Sequence, residues 1–392
     1  MGDRFQVAMI AACPFPAGRG TPVRVLRLTE ALARRGHAVH VVTYHLGDGA
    51  PDAAIRVHRI GRVPTYRRYE PGPTWQKLLL LDPLLARRTV ALLRSQPIDV
   101  IHAHHAEGLL VALMAGARGR LPIVYDVHTI LESELPQYPL GIGRRALARV
   151  GRALDRRLPR YADAVLAAHD DIRQRLIAAD PALADRIAVG TSGVELEPFA
   201  IDLSPRAEGR SAGRTLVYAG NLAPYQGIEL MLQAFAQLLK RQNDVRLRIV
   251  ANSPFTPYAP LASDLGIERS IDLVPAQFED VPRHLSDAAV ALNPRVGGDG
   301  VPQKLLNYMA AGTPIVSFRS SAKHLLHGEL GWVVEDGDVT AFADGIERLL
   351  ADSALAARLG ANARSYARAT LTWERTAEQA EAVYRRLVAC RP

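Results

Sequence analysis

Two stretches carry residue types that could do chemistry. The first is Gly297-Gly298-Asp299-Gly300-Val301-Pro302-Gln303-Lys304, which follows the apolar run 288–292 and leads through Leu305 and Gly312 into a second apolar run, 314–317. Its order reads as strand end, glycine loop, short helix, glycine stop and buried strand. Pro302 suits a first helical position, where no N–H partner is needed, and Gly312 suits the left-handed position just past a helix. Three glycines strip side chains from the point where free N–H groups and the helix dipole would attract a phosphate. An anion site and a plain strand-to-helix turn both fit this spacing. The second stretch is Val127-His128-Thr129-Ile130-Leu131-Glu132-Ser133-Glu134, where a strand over 123–126 empties into a loop bearing His128 and the carboxylates Glu132 and Glu134. Such groups at a strand end suit contact with a substrate, although a histidine bonded to backbone is the alternative for His128. His102, His104 and His105 follow another strand, and side-chain alternation is expected to point them in different directions, against a metal site.

Alternating elements must position these groups. Phe5 to Ala11 reads as a buried strand, then a loop with Gly18, Gly20 and Thr21, a helix over 23–35, and a strand over 39–43. That loop lies at the carboxyl end of a first parallel strand, where open α/β sheets bind ligands. G-x-G-x-x-G is missing from it, so no dinucleotide cofactor is inferred. Strand and helix patterns continue to about residue 200. Ser204 to Gly213 has no periodicity and reads as a linker, and a second alternating set begins at Thr215. The predicted domains are 1–200, a linker over 201–213, 214–370, and a C-terminal helix over 371–392 that returns to the first domain. Two Rossmann-like α/β domains facing a cleft are expected.

Hydrophobic residues make up 48% of the 392, enough for two sizeable cores, and the formal net charge is +8. Anionic partners are favoured: nucleotide-sugars, anionic lipid surfaces or nucleic acid. Nucleic acid is set aside, because no aromatic platform or base-reading motif accompanies the charge. Cys13 and Cys390 form neither a disulfide framework nor a metal cluster and suit a reducing compartment. No apolar run reaches the length of a membrane span. Helical spacing over 142–161 sets Arg145, Arg149, Arg152 and Arg156 in one stripe beside an apolar one, either a membrane-surface helix or a core helix with a solvated face. Tyr66-Arg67-Arg68-Tyr69 and Trp75-Gln76-Lys77 with four leucines form a second candidate for membrane contact. A cytoplasmic location, with peripheral attachment to the inner membrane face, is expected.

The whole chain resembles the family 4 glycosyltransferases. The resemblance rests on Gly36-His37 before the second strand, Asp99-Val100-Ile101-His102-Ala103-His104, Ser192-Gly193-Val194-Glu195, Tyr218-Ala219-Gly220-Asn221 with Gly227, Tyr308 to Val316 after the glycine loop, and Trp373-Glu374. It implies the GT-B architecture and a retaining, metal-independent hexosyltransferase without a cofactor, using a nucleoside-diphosphate sugar as co-substrate and a glycan or lipid-linked acceptor. Donor contacts are implied for Gly20, Thr21, Gly220, Asn221, Gln226, Gln277, Gly300, Val301, Pro302, Gln303 and Asn307, and acceptor-side contacts for Glu132 and Glu134. Arg24 is a weaker candidate. His128 falls where the family has a histidine that positions the donor sugar. Asp299 and Asn307 stand where it has two acidic residues eight apart, Asp299 to bond sugar hydroxyls and Asn307 beside the ribose. Asn221 and Gln226 replace an Arg and a Lys that neutralise the diphosphate. Lys304 and the helix end are therefore expected to take over that charge. A nucleotide-sugar epimerase of the same fold and a silent sugar-nucleotide-binding protein are the alternatives.

Overall fold

The computed structural model describes residues 4–17, 20–47, 54–69, 72–138, 140–200, 214–277, 279–297 and 300–389. Two compact units divide the chain, one running to Gly193 and resuming at Trp373, the other spanning Val194–Thr372. The first contains a seven-stranded parallel sheet of β1 (Gln6–Ala11), β2 (Ala38–Thr43), β3 (Ile55–Arg59), β4 (Val100–His104), β5 (Ile123–Val127), β6 (Ala164–Ala167) and β7 (Ile187–Val189), in the order β3-β2-β1-β4-β5-β6-β7. Its helices are α1 (Gly20–Arg34), α2 (Asp82–Ser95), α3 (His105–Met114), α4 (Leu131–Glu134), α5 (Arg144–Arg157) and α6 (Asp170–Ala179). The strands are apolar throughout because both faces are covered: Ala8 and Ile10 of β1 enter one core, Val7, Met9 and Ala11 the other. β3, not anticipated from the sequence, is the edge strand, and its Arg56 and His58 break the apolar signal.

The second unit contains β8 (Thr215–Ala219), β9 (Arg246–Val250), β10 (Ile271–Val274), β11 (Val290–Asn293), β12 (Ile315–Phe318) and β13 (Trp332–Val334), ordered β10-β9-β8-β11-β12-β13 and again all parallel. Its helices are α7 (Ile228–Leu239), α8 (Ala259–Asp264), α9 (Val281–Ser286), α10 (Gln303–Ala311), α11 (Arg319–Ala322), α12 (Val339–Ala351) and α13 (Ser353–Thr370). Leu216 and Tyr218 of β8 face one core, Val217 and Ala219 the other. Val194 and Phe199 are buried in this unit's core, so the segment before residue 200 packs with the second unit and not with the first. The expected linker over 201–213 lies outside the described residues.

The last helix, α14 (Trp373–Ala389), belongs to the first unit and packs along α1. Trp373, Ala377, Ala380, Val383 and Tyr384 enter its core, while Arg34 pairs with Glu374 at 2.7 Å and Arg35 with Glu381 at 2.6 Å. Both sheets reverse strand order beside their first strand, between β1 and β4 and between β8 and β11. Open α/β sheets bind ligands outside the carboxyl ends of strands at such switch points.

Candidate functional site

In the second unit the loop after β8 and the first turn of α10 meet at the switch point. Tyr218 near the end of β8 donates its hydroxyl to the Asn221 carbonyl at 2.6 Å, and Asn221 Oδ1 accepts from Ala223 N at 3.2 Å and from Gln226 Nε2 at 3.3 Å. Gln226, buried in the turn Pro224–Gln226, presents Oε1 to the Lys304 ammonium at 2.6 Å. Lys304 Nζ also lies 3.2 Å from the Tyr218 hydroxyl and 4.4 Å from the centroid of its ring. Every partner of this ammonium among the described residues is neutral. Burial pushes the Lys304 pKa well below the usual lysine value, and the charge of Arg295 adds to the effect. An anion entering beside it would offset that cost and favour the charged form. Gly227 has φ +73°, and a Cβ there would fall 2.0 Å from the Pro294 carbonyl oxygen, so only glycine permits this approach of the two loops.

Pro302 is the N-cap of α10 with φ −63° and ψ 118°, one position earlier than the sequence reading, because its extended ψ lets the helix begin only at Gln303. Gly312 takes the left-handed conformation at φ 71° as anticipated. Gly300 turns the chain at φ +79°, Val301 and Asn307 are half-buried, and Gln303 is exposed. A Cβ on Gly220 would lie 3.5 Å from Lys304 Cδ, which places that glycine against the lysine stem. Gln277 is exposed in the loop after β10, where its carbonyl accepts from Asp280 N and Val281 N. Gly18, Gly298, Asp299 and Cys390 lie outside the described residues.

The first unit builds a different centre. Asp126, fully buried in β5, accepts from Arg24 Nε and Nη2 at 2.9 Å each, one bond to each carboxylate oxygen. Its Oδ2 also lies 3.3 Å from His102 Nε2, 3.2 Å from His104 Nδ1 and 3.3 Å from His128 Nε2. Burial alone would raise the Asp126 pKa, but Arg24, His128 and the close approach of His102 and His104 reverse this and hold it well below the carboxylate range. His104 and His128 go the other way. Burial, helped by the charge of His102, takes His104 down to about 3, and burial lowers His128 despite Asp126. Two neutral imidazoles thus surround one ion pair. His128 Nδ1 lies 3.1 Å from the Thr21 hydroxyl in the first turn of α1, so the ring is held from both nitrogens. Gly20, at φ +52°, opens that helix and is exposed.

His102 and His104 do not diverge as expected. They are two apart on β4, and a period of two puts them on one face. With Asp126 they offer three ligand atoms within 4.8 Å of one another. The Arg24 guanidinium already occupies both Asp126 oxygens, so a second cation would face a buried like charge. The group is better suited to orienting His128 than to holding a metal. His102 Nδ1 contacts the Tyr384 hydroxyl of α14 at 2.5 Å, so the last helix reaches into the cluster.

Glu132 and Glu134 lie on α4, not on an open loop, and serve different partners. Glu134 Oε2 is 3.1 Å from His105 Nε2, its Oε1 accepts from the Tyr138 hydroxyl at 2.6 Å, and it also takes the Thr129 hydroxyl. His105 adopts φ 62°, unusual for a residue with a side chain, and Glu107 holds its Nδ1 at 2.9 Å. Burial opposes charge on His105, but Glu134 and Glu107 outweigh it and raise its pKa well above the usual value. Glu132 instead accepts from Arg152 Nε at 2.9 Å. In the arginine stripe of α5, Arg152 is therefore tied to α4, while Arg145, Arg149 and Arg156 stay exposed. Ile142 and Val150 of the apolar stripe are 57% and 51% exposed, so that stripe is only partly buried. No helix among the described residues is long and apolar enough to cross a membrane.

Sequence reasoning missed Asp126 as a hub and Arg295 as a cation of the second unit. Period-two alternation along β4 was the available signal for the first; a lone arginine in a loop gave none for the second.

Comparison with known proteins accords with both halves. Residues 18–198 match the model of Glycosyltransferase Family 4, and residues 213–352 match Glycosyl transferases group 1. The chain is 27% identical over 391 residues to D-inositol 3-phosphate glycosyltransferase of Frankia alni, covering 93% of this chain and 94% of that one. It is 29% identical over 315 residues to the GDP-mannose-dependent alpha-(1-6)-phosphatidylinositol monomannoside mannosyltransferase of Mycolicibacterium smegmatis, covering 76% and 78%. Among solved structures, sucrose-phosphate synthase of Thermosynechococcus elongatus superposes with a TM-score of 0.81 at 21% identity over 99% of this chain and 100% of that one. HepE of Anabaena, in complex with UDP and glucose, gives 0.72 at 17% identity over 97% and 99%. The fold is GT-B, and the chain is a glycosyltransferase belonging to family 4.

Proposed function

We propose that this enzyme transfers a hexose, with retention, from a nucleoside-diphosphate sugar to a glycan or lipid-linked acceptor in surface polysaccharide or glycoconjugate synthesis. The observation that carries the donor is Lys304, an ammonium at the β8/β11 switch point held by neutral groups at 2.6 and 3.2 Å. As the glycosidic bond breaks, charge grows on the departing diphosphate, and a fixed cation beside it lowers the barrier. In this reading His128, kept neutral and oriented through Asp126 and Thr21, positions the donor sugar. Attack follows on the face from which the diphosphate departs, with no nucleophile from the protein and no metal.

The lipid-linked acceptor and a peripheral position on an anionic membrane draw support from the surface of the first unit. Trp75, Leu78 and Leu79 are 70%, 61% and 70% exposed, and the exposed Ile142 and Val150 share α5 and its approach with Arg145, Arg149 and Arg156. Apolar side chains next to cations suit an interfacial position. The mannosyltransferase relative is named for phosphatidylinositol monomannoside, in keeping with such a partner.

A thermal-shift screen against UDP, GDP, ADP and TDP sugars tests the donor, since a ligand that binds only the folded state raises its melting temperature. Analysis of the products then separates transfer from epimerisation, in which the sugar stays on the nucleotide. No stabilisation by any donor, together with no release of sugar, would reject the proposal in favour of a silent protein.

A further inference from the structure

Lys304 is not the only cation at the β8/β11 switch point. Arg295 stands two residues beyond β11, where its Nε donates to the Gly297 carbonyl at 3.1 Å and its guanidinium carbon lies 5.6 Å from the Tyr225 ring centroid. Tyr225 immediately precedes Gln226, the residue that accepts from Lys304 at 2.6 Å. One three-residue turn, Pro224–Gln226, therefore meets a guanidinium at one side chain and an ammonium at the next. Gly227 fixes the meeting, because a Cβ there would be 2.0 Å from the Pro294 oxygen and 3.5 Å from Arg295 Cα. The chain just before Arg295 is thus packed closely against the glycine that closes the turn carrying Lys304's acceptor.

Two like charges held at one turn repel each other, and the repulsion is relieved when an anion enters. Arg295 follows burial as the cause that depresses the Lys304 pKa, in line with this geometry. The two cations differ in what they offer. Arginine supplies a planar fork that matches two phosphate oxygens, whereas lysine supplies a point charge.

We propose that Arg295 is a donor-binding residue that forms, with Lys304, a cationic clamp on the diphosphate, the charge coming from the loop after β11 and from α10 while the loop after β8 contributes the neutral Asn221 and Gln226. This rests on the nucleotide-sugar reading above. Arg295 thereby joins the donor site, and the charge has moved between loops.

Calorimetric titration of the full chain with UDP, GDP, ADP and inorganic pyrophosphate tests it, each variant being checked for fold by its melting curve. Arg295→Gln is expected to weaken binding of the nucleoside diphosphate the parent prefers roughly tenfold or more, the worth of a charge-assisted contact, and to flatten the dependence of affinity on salt. The matching nucleoside, which has no phosphate, keeps its parental affinity. Arg295→Lys, which retains the charge, recovers part of the loss, and Asn221→Arg added to Arg295→Gln recovers affinity by returning a cation to the loop after β8. If the parent binds a diphosphate and Arg295→Gln binds it equally well, the clamp is overturned while the donor reading stands. If the parent binds none of the four, the donor reading itself fails. Equal weakening toward nucleoside and diphosphate would mark a general disturbance of the site and also overturn the clamp.

Discussion

Changing Asp126 to Asn removes one charge from the centre of the first unit and leaves Arg24, only 5% exposed, without its counter-ion. Removing one partner of a buried ion pair typically costs about 3–5 kcal/mol. Arg24 retains the Gly190 carbonyl at 2.8 Å and the Ser192 hydroxyl at 3.0 Å, and the new amide keeps one acceptor oxygen, so the lower end, about 3 kcal/mol, applies. For a unit of this size each kcal/mol lowers the midpoint by roughly 2–4 °C, which gives a fall of about 6–12 °C in differential scanning calorimetry of the full chain. Arg24→Gln combined with Asp126→Asn should be less damaging than the sum of the single changes by at least about 2 kcal/mol, because the uncompensated charge is gone. The folded pKa of Asp126 is depressed, so its contribution is fully present above the unfolded value of about 3.9 and is lost as pH falls through the lower folded value. The gap between parent and Asp126→Asn should stay constant from pH 5 to 8 and close in acid. A loss under about 1 kcal/mol, or strict additivity in the double variant, would refute the view that this ion pair organises the cluster.

Three further outcomes are expected. His128→Ala should lower turnover roughly 10²-fold with the melting curve unchanged, as for loss of a positioning group, and near-parental product formation would dismiss the assignment. His104, with a folded pKa of about 3, stays neutral in the native state while the unfolded chain binds a proton below about 6.5, so stability should fall as pH drops through that window; His104→Asn should remove one group's share of the slope, up to about 1.4 kcal/mol per pH unit, in urea titrations at several pH values. Replacing Trp75, Leu78 and Leu79 together by Ser should reduce sedimentation with phosphatidylglycerol-containing vesicles while leaving the fold intact, and undiminished sedimentation would remove these residues from the membrane contact.

The α/β alternation was legible because strands covered on both faces read as unbroken apolar runs, as in β1 and β8, and because Gly36, Gly227 and Gly312 punctuate them. β3 was not legible, since an edge strand exposes Arg56 and carries His58, which dilute the signal. Asp126 looked like the last residue of a strand. Only pairing of β4 with β5, His104 beside Asp126, brings two histidines to its carboxylate. Lys304 stood out as one of four lysines, yet its neutral acceptor Gln226 lies 78 positions earlier and could be matched to it only in three dimensions. Arg295 was hidden for the same reason, by a contact between two loops that no local pattern encodes.

The route of the chain has a consequence for synthesis. The core that surrounds Met9 and Val41 also contains Trp373, Ala377 and Tyr384, and the hydroxyl of Tyr384 reaches His102 beside Asp126. The second unit, Val194–Thr372, is one continuous stretch, whereas the first is made of two stretches, one before it and one after it. On the ribosome, then, the second unit has all of its sequence before the first does. The first must wait with one side of its sheet covered by α1 but not yet by α14, and a message truncated within the final helix would yield a chain with its later half complete and its opening half unfinished.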